Sequence, residues 1–336
     1  MNKKKSEIKV LVTREMPEIG IDLLKKEGFA VTVLPDVPMD PTDLIAKVAG
    51  FDALLSVGHN KLNKDALRQC SHLDIISQFG AGYDNIDETE AAHLGIVVAN
   101  TPNVVNDATA DVAFGLMLAV SRKMFYMHKK IARGKWGYFR PKANLGMELK
   151  NKTLGVFGLG RIGEEVAKRC KGAYNMDVIY HNRSRKIELE TALGAKYVSF
   201  EDLLKESDVL SVHCALNSET RGVFDLAAFS KMKRSAIFIN TSRGAVHNEP
   251  DLIRALEKGL IWGAGLDVTD PEPMKTDNPL LTMENAAVLP HIGSATMETR
   301  NEMSRMSALN IIEFYQSGKV TNAVNQLKGP KALSQR

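Results

Sequence analysis

The chain has 336 residues, of which 44% are hydrophobic and 25% charged, and 44 Lys and Arg against 40 Asp and Glu give a formal net charge of +4. These values argue against disorder throughout, because enough apolar surface is present to offset the entropy lost on ordering. The near balance of charge argues against a nucleic-acid partner, for which a concentrated basic face is expected. At roughly 150 residues per domain, the length predicts about two domains.

The sequence gives no indication of a membrane or secretory segment. Its longest apolar stretch, 112–120, is short and contains Gly115, whereas a membrane-spanning helix needs about 20 apolar residues. The lysines at 3–5 suggest a solvated leader, and a short strand follows them instead of a signal-peptide core. The three cysteines stand far apart, at Cys70, Cys170 and Cys214. Since they form no metal-ligand spacing and suit a reducing compartment, we expect a cytoplasmic protein with no membrane partner and no metal.

Short apolar strands alternate with helices along the chain. The first series of expected strands is 8–13, 29–34, 52–57, 74–78 and 96–99, with helices such as 18–27 and 64–70 between them. The second series is 153–158, 177–181, 208–212, 235–240, 261–266 and 286–289, with helices such as 162–170, 225–231 and 250–258. This alternation is typical of parallel sheets covered on both faces, so the two series predict two doubly wound α/β units.

Two further helices are expected outside these series. The segment 107–135 is rich in Ala, Leu and Met in its first half, which predicts one long helix with Asn106 or Asp107 as its N-cap. Two interpretations stay open for this helix: a helix of the core, or a connector between domains that also forms a dimer surface. The other expected helix, 296–316, lies near the end of the chain.

A glycine-rich loop joins the first strand of the second series to its helix. Residues 158–163 have the sequence Gly-Leu-Gly-Arg-Ile-Gly between a strand and a helix, which is the context that dinucleotide binding requires. Gly158 permits the tight turn, Gly160 lacks a Cβ that would block a pyrophosphate, and Gly163 allows close packing of helix on strand. Since the N-terminus of that helix favours phosphate charge, the loop predicts a dinucleotide cofactor.

The tip of the next strand predicts which dinucleotide is preferred. Proteins that bind NAD usually have a carboxylate there, about 20 residues past the loop, to hold the ribose. Here the strand 177–181 is followed by Asn182, Arg183, Ser184 and Arg185, with no carboxylate. Arginines would pair with a 2′-phosphate that a carboxylate would repel. We therefore expect NADP(H) to be preferred, with NAD(H) possible.

Three later strands end near polar residues that suit the reduction of a 2-keto acid. Ligands of a doubly wound sheet lie outside the carboxyl ends of its strands, so these residues should lie at the edge that holds the cofactor. Arg243 offers a bidentate cation for a substrate carboxylate. His291 can donate a proton to the forming alkoxide, and Glu272 would favour its imidazolium form and fix its tautomer. The other histidines are expected to have no part in proton transfer.

The ordered motifs of the chain resemble the D-isomer-specific 2-hydroxyacid dehydrogenases over about residues 9–325. The matching segments are 80–84 (Gly-Ala-Gly-Tyr-Asp), 106–111 (Asn-Asp-Ala-Thr-Ala-Asp), the glycine loop, 241–244 (Thr-Ser-Arg-Gly), 265–268 (Gly-Leu-Asp-Val), 272–273 (Glu-Pro) and 290–294 (Pro-His-Ile-Gly-Ser). Within the family, the stretch 175–183 is similar to the glyoxylate/hydroxypyruvate reductases of the 2-ketogluconate reductase branch.

The resemblance implies a role for each matching residue. Arg243 would bind the substrate carboxylate, His291 would be the acid/base and Glu272 would orient it. The main chain of Ala81 and Gly82 would also meet the substrate carboxylate. Asp267 would hold the nicotinamide amide. The full set of expected cofactor contacts is Thr109, Gly158, Leu159, Gly160, Arg161, Ile162, Gly163, Asn182, Arg183, Ser184, Arg185, Cys214, Thr220, Thr241, Ser242, Asp267 and Gly293.

The resemblance also implies how the domains are arranged. A Rossmann domain that binds NAD(P), residues 102–290, would be inserted into a flavodoxin-like substrate domain made of 1–101 plus 291–336. The linkers 99–103 and 290–293 would be hinges whose closure excludes water during hydride transfer. Members of the family are usually dimers with much of the interface near the long helix, so a homodimer is expected.

Two short segments depart from the family pattern. Ala215-Leu216 stands where Pro-Leu is common, and His247-Asn248 stands where Val-Asp is common. Both lie beside loops of the expected cofactor domain, so they affect the details of the cofactor pocket and not the catalytic trio. The segments 56–60 and 134–137 are expected to decide which substrate side chain is accepted.

The sequence thus predicts NADPH-dependent reduction of a small 2-keto acid, such as glyoxylate, hydroxypyruvate or 2-ketogluconate, to the D-2-hydroxy acid. Three alternatives stay open. An NAD-dependent phosphoglycerate dehydrogenase would need a cationic phosphate pocket and usually the missing carboxylate. A nicotinamide-sensing binding module could keep the glycine loop with little turnover, but the intact trio of Arg243, Glu272 and His291 argues against it. A nonenzymatic structural protein would require every motif to be incidental.

Overall fold

The computed structural model describes residues 4–37 and 40–327. The chain divides into two compact units, one formed by Met1–Val105 with Ala295–Arg336 and the other by Asn106–Ser294. Each unit contains one parallel sheet with helices on its faces, as the two series of strands predict. Lys3 of the expected leader and residues 328–336 of the expected substrate domain lie outside the described residues.

The first unit is built on a five-stranded parallel sheet. Its strands are β1 (Lys9–Val12), β2 (Ala30–Val33), β3 (Ala53–Val57), β4 (Ile75–Phe79) and β5 (Val97–Ala99). Its helices are α1 (Glu18–Lys26), α2 (Pro41–Val48), α3 (Lys64–Gln69), α4 (Glu88–His93) and the last helix of the chain, α12 (Met297–Ser317). The strand order β2-β1-β3-β4-β5 is the flavodoxin-like order, so the expected fold of this unit is confirmed.

Helices cover both faces of this sheet. Leu44 of α2, Leu67 of α3 and Ala91 of α4 are buried in one cluster with Leu54 and Ile76 of the strands. On α1, the absence of a side chain at Gly20 permits close packing against α12. A Cβ there would lie 2.3 Å from the carbonyl oxygen of Ser304, and the Gly20 N–H donates to the Ser304 hydroxyl (3.0 Å). This contact ties the two ends of the chain into one unit.

The second unit is built on a seven-stranded parallel sheet. Its strands are β6 (Thr153–Phe157), β7 (Asp177–His181), β8 (Lys196–Tyr197), β9 (Val209–Val212), β10 (Ile237–Asn240), β11 (Gly263–Leu266) and β12 (Ala286–Val288). Its helices are α5 (Asn106–Ser121), α6 (Met124–Ala132), α7 (Arg161–Tyr174), α8 (Ile187–Leu193), α9 (Phe200–Glu206), α10 (Leu226–Lys231) and α11 (Glu249–Glu257). The order β12-β11-β10-β9-β6-β7-β8 is the Rossmann order with β12 added at one edge.

Alternating side chains of the central strands fill two cores, one on each face of the second sheet. Ile237 and Ile239 of β10 lie in one cluster with Leu116 of α5 and Val166 of α7. Phe238 between them lies in the other cluster, among residues of α9, α10 and α11. The side-chain period of two along a strand explains this division, and burial on both faces fixes the register. No helix among the described residues is both long and apolar enough to cross a membrane.

The expected single helix over 107–135 is wrong, because two helices occupy this stretch. α5 ends at Ser121 and α6 begins at Met124, with Lys123 between them in the left-handed region (φ 52°). The carbonyl of Ser121 accepts from the N–H of Met147 (2.8 Å), a residue of a later loop, instead of from the next helical turn. A partner far along the chain therefore ends α5, which composition within the segment could not indicate.

The two units meet in sequence a few residues later than the expected boundaries at 101 and 290. Asn100 and Thr101 still bond within the first unit, since the Asn100 N–H donates to the Asn322 carbonyl (3.3 Å) and the Thr101 N–H to the Gly80 carbonyl (3.0 Å). Residues 291–293 bond within the second unit, through the Asp267 carboxylate. It stays a prediction that the first unit binds the substrate and the second unit binds the cofactor.

Candidate active site and cofactor loop

The glycine loop follows β6 at the switch point of the sheet order, between β6 and β9. Gly158 has a left-handed φ of 97°, and a Cβ there would lie 2.7 Å from the backbone nitrogen of Cys214. A Cβ at Gly163 would lie 2.8 Å from the Gly158 carbonyl oxygen, so this glycine lets α7 pack against the loop. At Gly160, by contrast, a Cβ would meet no described atom within 4 Å, and the residue is exposed.

This loop fits a pyrophosphate. The space beside Gly160 is open, and α7 begins immediately after it at Arg161. The first backbone N–H groups of a helix have no intrahelical partner, and the helix dipole adds positive potential there. The main chain of Gly160, Arg161 and Ile162 could therefore hold the phosphates of a dinucleotide, with Gly158 and Gly163 shaping the loop.

The side chain of Asn182 fastens the glycine loop to the end of β7. Its Oδ1 accepts from the Leu159 N–H (2.6 Å), and its Nδ2 donates to the Leu159 carbonyl (3.1 Å). The Asn182 carbonyl accepts from the hydroxyl of Tyr197 (3.2 Å) on β8. Both atoms of the amide are thus used to hold Leu159, so Asn182 supports the loop, and its own cofactor contact stays a prediction.

The two arginines after β7 differ in their surroundings. Arg185 forms an ion pair with Glu190 of α8, through Nε to Oε1 (3.0 Å) and a second short contact from Nη2 to Oε2. The Tyr180 hydroxyl donates to the same Glu190 Oε1 (2.6 Å), and the Lys186 N–H donates to that hydroxyl (2.7 Å). The bond from Arg185, and then that from Tyr180, lower the pKa of Glu190 to about 2. Glu190 therefore keeps its charge and holds Arg185.

Arg183 has no such partner. It is exposed, as are Ser184 and Arg185, and no described residue forms an ion pair with it. Arg183 is thus the cation of this turn whose guanidinium fork is available to an incoming anion. The sequence analysis did not identify Glu190 as the partner of Arg185, although it lies only five residues later.

Four more expected cofactor contacts follow the ends of β9 and β10, namely Cys214, Thr220, Thr241 and Ser242. The hydroxyl of Thr220 donates to the Ala215 carbonyl (2.8 Å), which closes the turn after β9. Thr241 is buried, and its hydroxyl lies 3.4 Å from Nδ1 of His213. Burial raises the pKa of the Cys214 thiol to about 12 and lowers the pKa of His213 to about 3. Both groups are therefore neutral near pH 7.

The turn that carries Arg243 is held by Asn240, the last residue of β10. Its Oδ1 accepts from the N–H and the hydroxyl of Ser242 (2.9 and 2.8 Å), and its Nδ2 donates to the Arg243 carbonyl (2.9 Å). The Arg243 Nη1 donates to the Ser242 carbonyl (2.8 Å). A Cβ on the next residue, Gly244, would lie 2.0 Å from the Thr269 carbonyl oxygen, so only glycine fits there. Asn240 was not among the expected site residues.

His247, one of the departures from the family pattern, completes this arrangement. Its Nδ1 lies 3.0 Å from Asn240 Nδ2. Because Asn240 Oδ1 accepts from Ser242, the amide nitrogen must face the ring, so His247 Nδ1 is the acceptor and Nε2 carries the proton. Burial lowers the pKa of His247 to about 4 and keeps the ring neutral. Asn248 caps α11 by accepting from the Asp251 N–H (3.1 Å), as an Asp would.

Glu272 and His291, which are 19 residues apart in the sequence, lie in direct contact. His291 Nδ1 is 2.6 Å from Glu272 Oε1. A carboxylate can only accept, so Nδ1 carries a hydrogen and Nε2 is left as the atom that can exchange a proton with a ligand. Both side chains keep part of their surface open to solvent, 29% for His291 and 35% for Glu272. The arrangement suits a general acid with a fixed tautomer.

Asp267 at the end of β11 clamps the segment that follows His291. His291 has a left-handed φ of 54°, which is unfavourable for a residue with a Cβ. Asp267 accepts from the N–H groups of Ile292 (2.8 Å) and Gly293 (2.7 Å), and the Thr109 hydroxyl donates to the Gly293 carbonyl (3.2 Å). Burial raises the pKa of Asp267, and the two N–H groups oppose that rise. Its predicted contact with nicotinamide remains a prediction.

In the first unit, the turn with Ala81 and Gly82 follows β4. The Asn100 side chain donates to the Ala81 carbonyl (2.7 Å), and the Gly80 N–H donates to the Gln78 carbonyl (3.0 Å). The turn is therefore anchored by Asn100, the residue that follows β5, which was not among the expected site residues.

Comparisons with known proteins identify the family of the chain. The family described as D-isomer specific 2-hydroxyacid dehydrogenase, NAD binding domain, matches residues 114–293. The chain is 44% identical to the glyoxylate reductase of Thermococcus litoralis over 95% of this chain and 97% of that protein. It is 37% identical to the "Probable 2-ketogluconate reductase" of Dictyostelium discoideum over 94% of this chain and 95% of that protein.

A solved structure of an enzyme with a related name has a similar fold. The NADPH-dependent glyoxylate/hydroxypyruvate reductase from Sinorhizobium meliloti, in complex with NADP and malonate, superposes with a TM-score of 0.82 at 30% identity over 95% of this chain and 97% of that one. The family resemblance seen in the sequence and the nicotinamide cofactor are thereby confirmed. The chain belongs to the D-isomer-specific 2-hydroxyacid dehydrogenase family, as an NAD(P)-dependent oxidoreductase.

Proposed function

We propose that this protein reduces a small, unphosphorylated 2-keto acid to the D-2-hydroxy acid, prefers NADPH, and uses His291 as the proton donor. Glyoxylate, hydroxypyruvate and 2-ketogluconate are the candidate substrates. The observation that carries the proposal is the 2.6 Å contact between His291 Nδ1 and Glu272 Oε1, which leaves Nε2 as the proton-exchanging atom. The names of the relatives support the class of substrate, since they include glyoxylate reductase and 2-ketogluconate reductase.

The cofactor, when bound, supplies the hydride that reduces the keto carbon. The glycine loop and the N-terminus of α7 would hold its phosphates, and the exposed Arg183 would pair with the 2′-phosphate of NADPH. The preference for NADPH rests on Arg183 together with the absence of a carboxylate at the tip of β7, where NAD-binding proteins usually have one.

The protein side of the reaction is a proton transfer and a charge interaction. Imidazolium His291 gives its Nε2 proton to the carbonyl oxygen as negative charge develops there, while its Nδ1–H goes on donating a hydrogen bond to the Glu272 carboxylate. Arg243 binds the substrate carboxylate through its guanidinium fork, from a turn that Asn240 holds in place. The main-chain N–H groups of Ala81 and Gly82 are proposed to bind the same carboxylate.

The direct test is oxidation of NADPH and of NADH, in parallel, by the purified protein. The acids are glyoxylate, hydroxypyruvate, 2-ketogluconate and phosphohydroxypyruvate. We expect turnover with NADPH and an unphosphorylated acid. A preference for NADH and phosphohydroxypyruvate would contradict the proposal in favour of a phosphoglycerate dehydrogenase. No turnover with any pair, despite tight cofactor binding, would favour a sensing module.

The proposed quaternary state is a homodimer, on the strength of the family resemblance. Light scattering coupled to size-exclusion chromatography should give about twice the chain mass of 37.0 kDa. A monomeric mass at micromolar concentration would contradict it.

A further inference from the structure

A closed ring of hydrogen bonds lies beneath the turn that contains Ala81 and Gly82. The Asn100 N–H donates to the Asn322 carbonyl (3.3 Å), the Asn322 side chain donates to Asn310 Oδ1 (3.0 Å), and the Asn310 side chain donates to the Asn100 carbonyl (2.9 Å). Asn310 is fully buried on α12, and its second amide hydrogen points to the Ser77 hydroxyl (3.2 Å). Each bond in this ring fixes the orientation of the next group.

Peptide planarity carries that orientation to the turn. In a trans peptide the C=O and the following N–H point in opposite directions. Holding the Asn100 carbonyl therefore aims the Thr101 N–H, which donates to the Gly80 carbonyl (3.0 Å). Holding the Gly80 carbonyl in turn aims the Ala81 N–H. The Asn100 side chain holds the Ala81 carbonyl (2.7 Å), which aims the Gly82 N–H.

We infer that Asn310 and Asn322, on the C-terminal helix and the segment after it, are positioning residues that aim the N–H groups of Ala81 and Gly82 at the substrate carboxylate. They act through Asn100 and touch no substrate themselves. The inference rests on the proposed function, which assigns the carboxylate to these two N–H groups. It gives α12 a part in substrate affinity in addition to its packing against α1.

Asn325 provides a matched control on the same segment. It also makes three hydrogen bonds, accepting from the Val98 N–H (2.9 Å) and donating to the carbonyls of Ile96 (2.9 Å) and Glu88 (3.3 Å). These bonds reach the middle of β5, the residue just before that strand and the first residue of α4, all outside the turn. Asn325→Ala should therefore lower thermal stability much as the ring variants do, without disturbing the turn.

The experiment compares two ring variants, Asn310→Ala and Asn322→Ala, with the Asn325→Ala control in the full-length protein. Hydrogen–deuterium exchange of peptides covering 78–83 reports the turn, and steady-state kinetics with glyoxylate and NADPH report its use. We expect faster exchange in 78–83 and a KM for glyoxylate raised about tenfold in both ring variants, with the KM for NADPH unchanged. The control should change neither.

Other outcomes separate the two levels of the argument. Unchanged exchange in both ring variants, or an equal KM rise in Asn325→Ala, would overturn the inference. Faster exchange with an unchanged KM would overturn the assignment of the turn to the substrate. If the native protein turned over no keto acid at all, the proposed function would fail, and exchange would still decide whether the ring holds the turn.

Discussion

In each unit an asparagine side chain helps to hold a turn that carries expected substrate-binding residues. The two asparagines differ greatly in how far along the chain they lie from the group that they hold. In the seven-stranded unit, Asn240 holds the carbonyl of Arg243, only three residues away. In the five-stranded unit, the turn at Ala81 depends on Asn310, which is 210 residues from its partner Asn100. A local anchor belongs to the same motif as the residue that it holds, whereas a distant one exists only after the ends of the chain fold together.

Replacement of His291, in the seven-stranded unit, should lower turnover more than any other substitution considered. His291→Ala removes the proposed proton donor, so kcat should fall by about 10²–10⁴-fold while the Kd for NADPH, measured by fluorescence, stays the same. Glu272→Gln should lower kcat less than His291→Ala does, since an amide oxygen can still accept the hydrogen bond from His291 Nδ1. Full turnover by His291→Ala would remove the proton-donor role.

The next effect separates the two arginines after β7. Arg183→Ala should raise the KM for NADPH about 10- to 100-fold and leave the KM for NADH nearly unchanged, because only NADPH carries the 2′-phosphate. Arg185→Ala is the matched control, since Glu190 already engages that guanidinium. Equal losses for both cofactors, or a larger loss from Arg185→Ala, would contradict the distinction.

Asn240, the local anchor of the Arg243 turn, can be removed without touching Arg243 itself. Asn240→Ala leaves the Arg243 turn without its side-chain bonds, so kcat/KM for glyoxylate should fall about tenfold or more. Asn248→Ala, which removes only the cap of α11, should cost about 1 kcal/mol of stability without a change in kinetics. If the two variants had the same kinetics, Asn240 would have no positioning role.

The smallest effect is one of pH and concerns His247. The folded protein holds this ring neutral down to a pKa of about 4, whereas the unfolded chain protonates it near the ordinary value of 6.5. The unfolded state thus binds more protons between these values, so the stability is fully present above pH 6.5 and is lost as pH falls toward 4.

Substitution of His247 by valine tests this pH dependence. His247→Val should show a smaller drop in Tm between pH 7 and pH 5 than the native protein, as measured by calorimetry. His213, with its own lowered pKa, remains in both proteins and cancels in the comparison. Identical pH dependence of the two melting temperatures would show that His247 is not the group responsible.

The sequence predicted what depends on local pattern. Each expected strand is present because short apolar runs bounded by turns need no distant partner to be recognised. Glu272 and His291 could be placed together because the carboxyl ends of parallel strands share one edge. The strand β8 was not expected, since its two residues form only an edge ladder with Ile179 and Tyr180.

What the sequence could not predict depends on tertiary contacts. The break after Ser121 requires Met147, which arrives from a loop beyond α6. The ion pair of Arg185 with Glu190 joins residues only five apart, but it depends on how the turn folds against α8, where the Tyr180 hydroxyl bonds both Lys186 and Glu190. Because Glu190 engages Arg185, only the guanidinium of Arg183 is left to bind a phosphate. From the sequence alone the two arginines looked equivalent.

The most direct test of the central claim is the configuration of the product. Hydroxypyruvate reduced by the protein with NADPH can be separated by chiral chromatography into D- and L-glycerate. Reduction by an enzyme of this family with His291 as the proton donor predicts D-glycerate as the single enantiomer. Formation of L-glycerate or of a racemic mixture would contradict it.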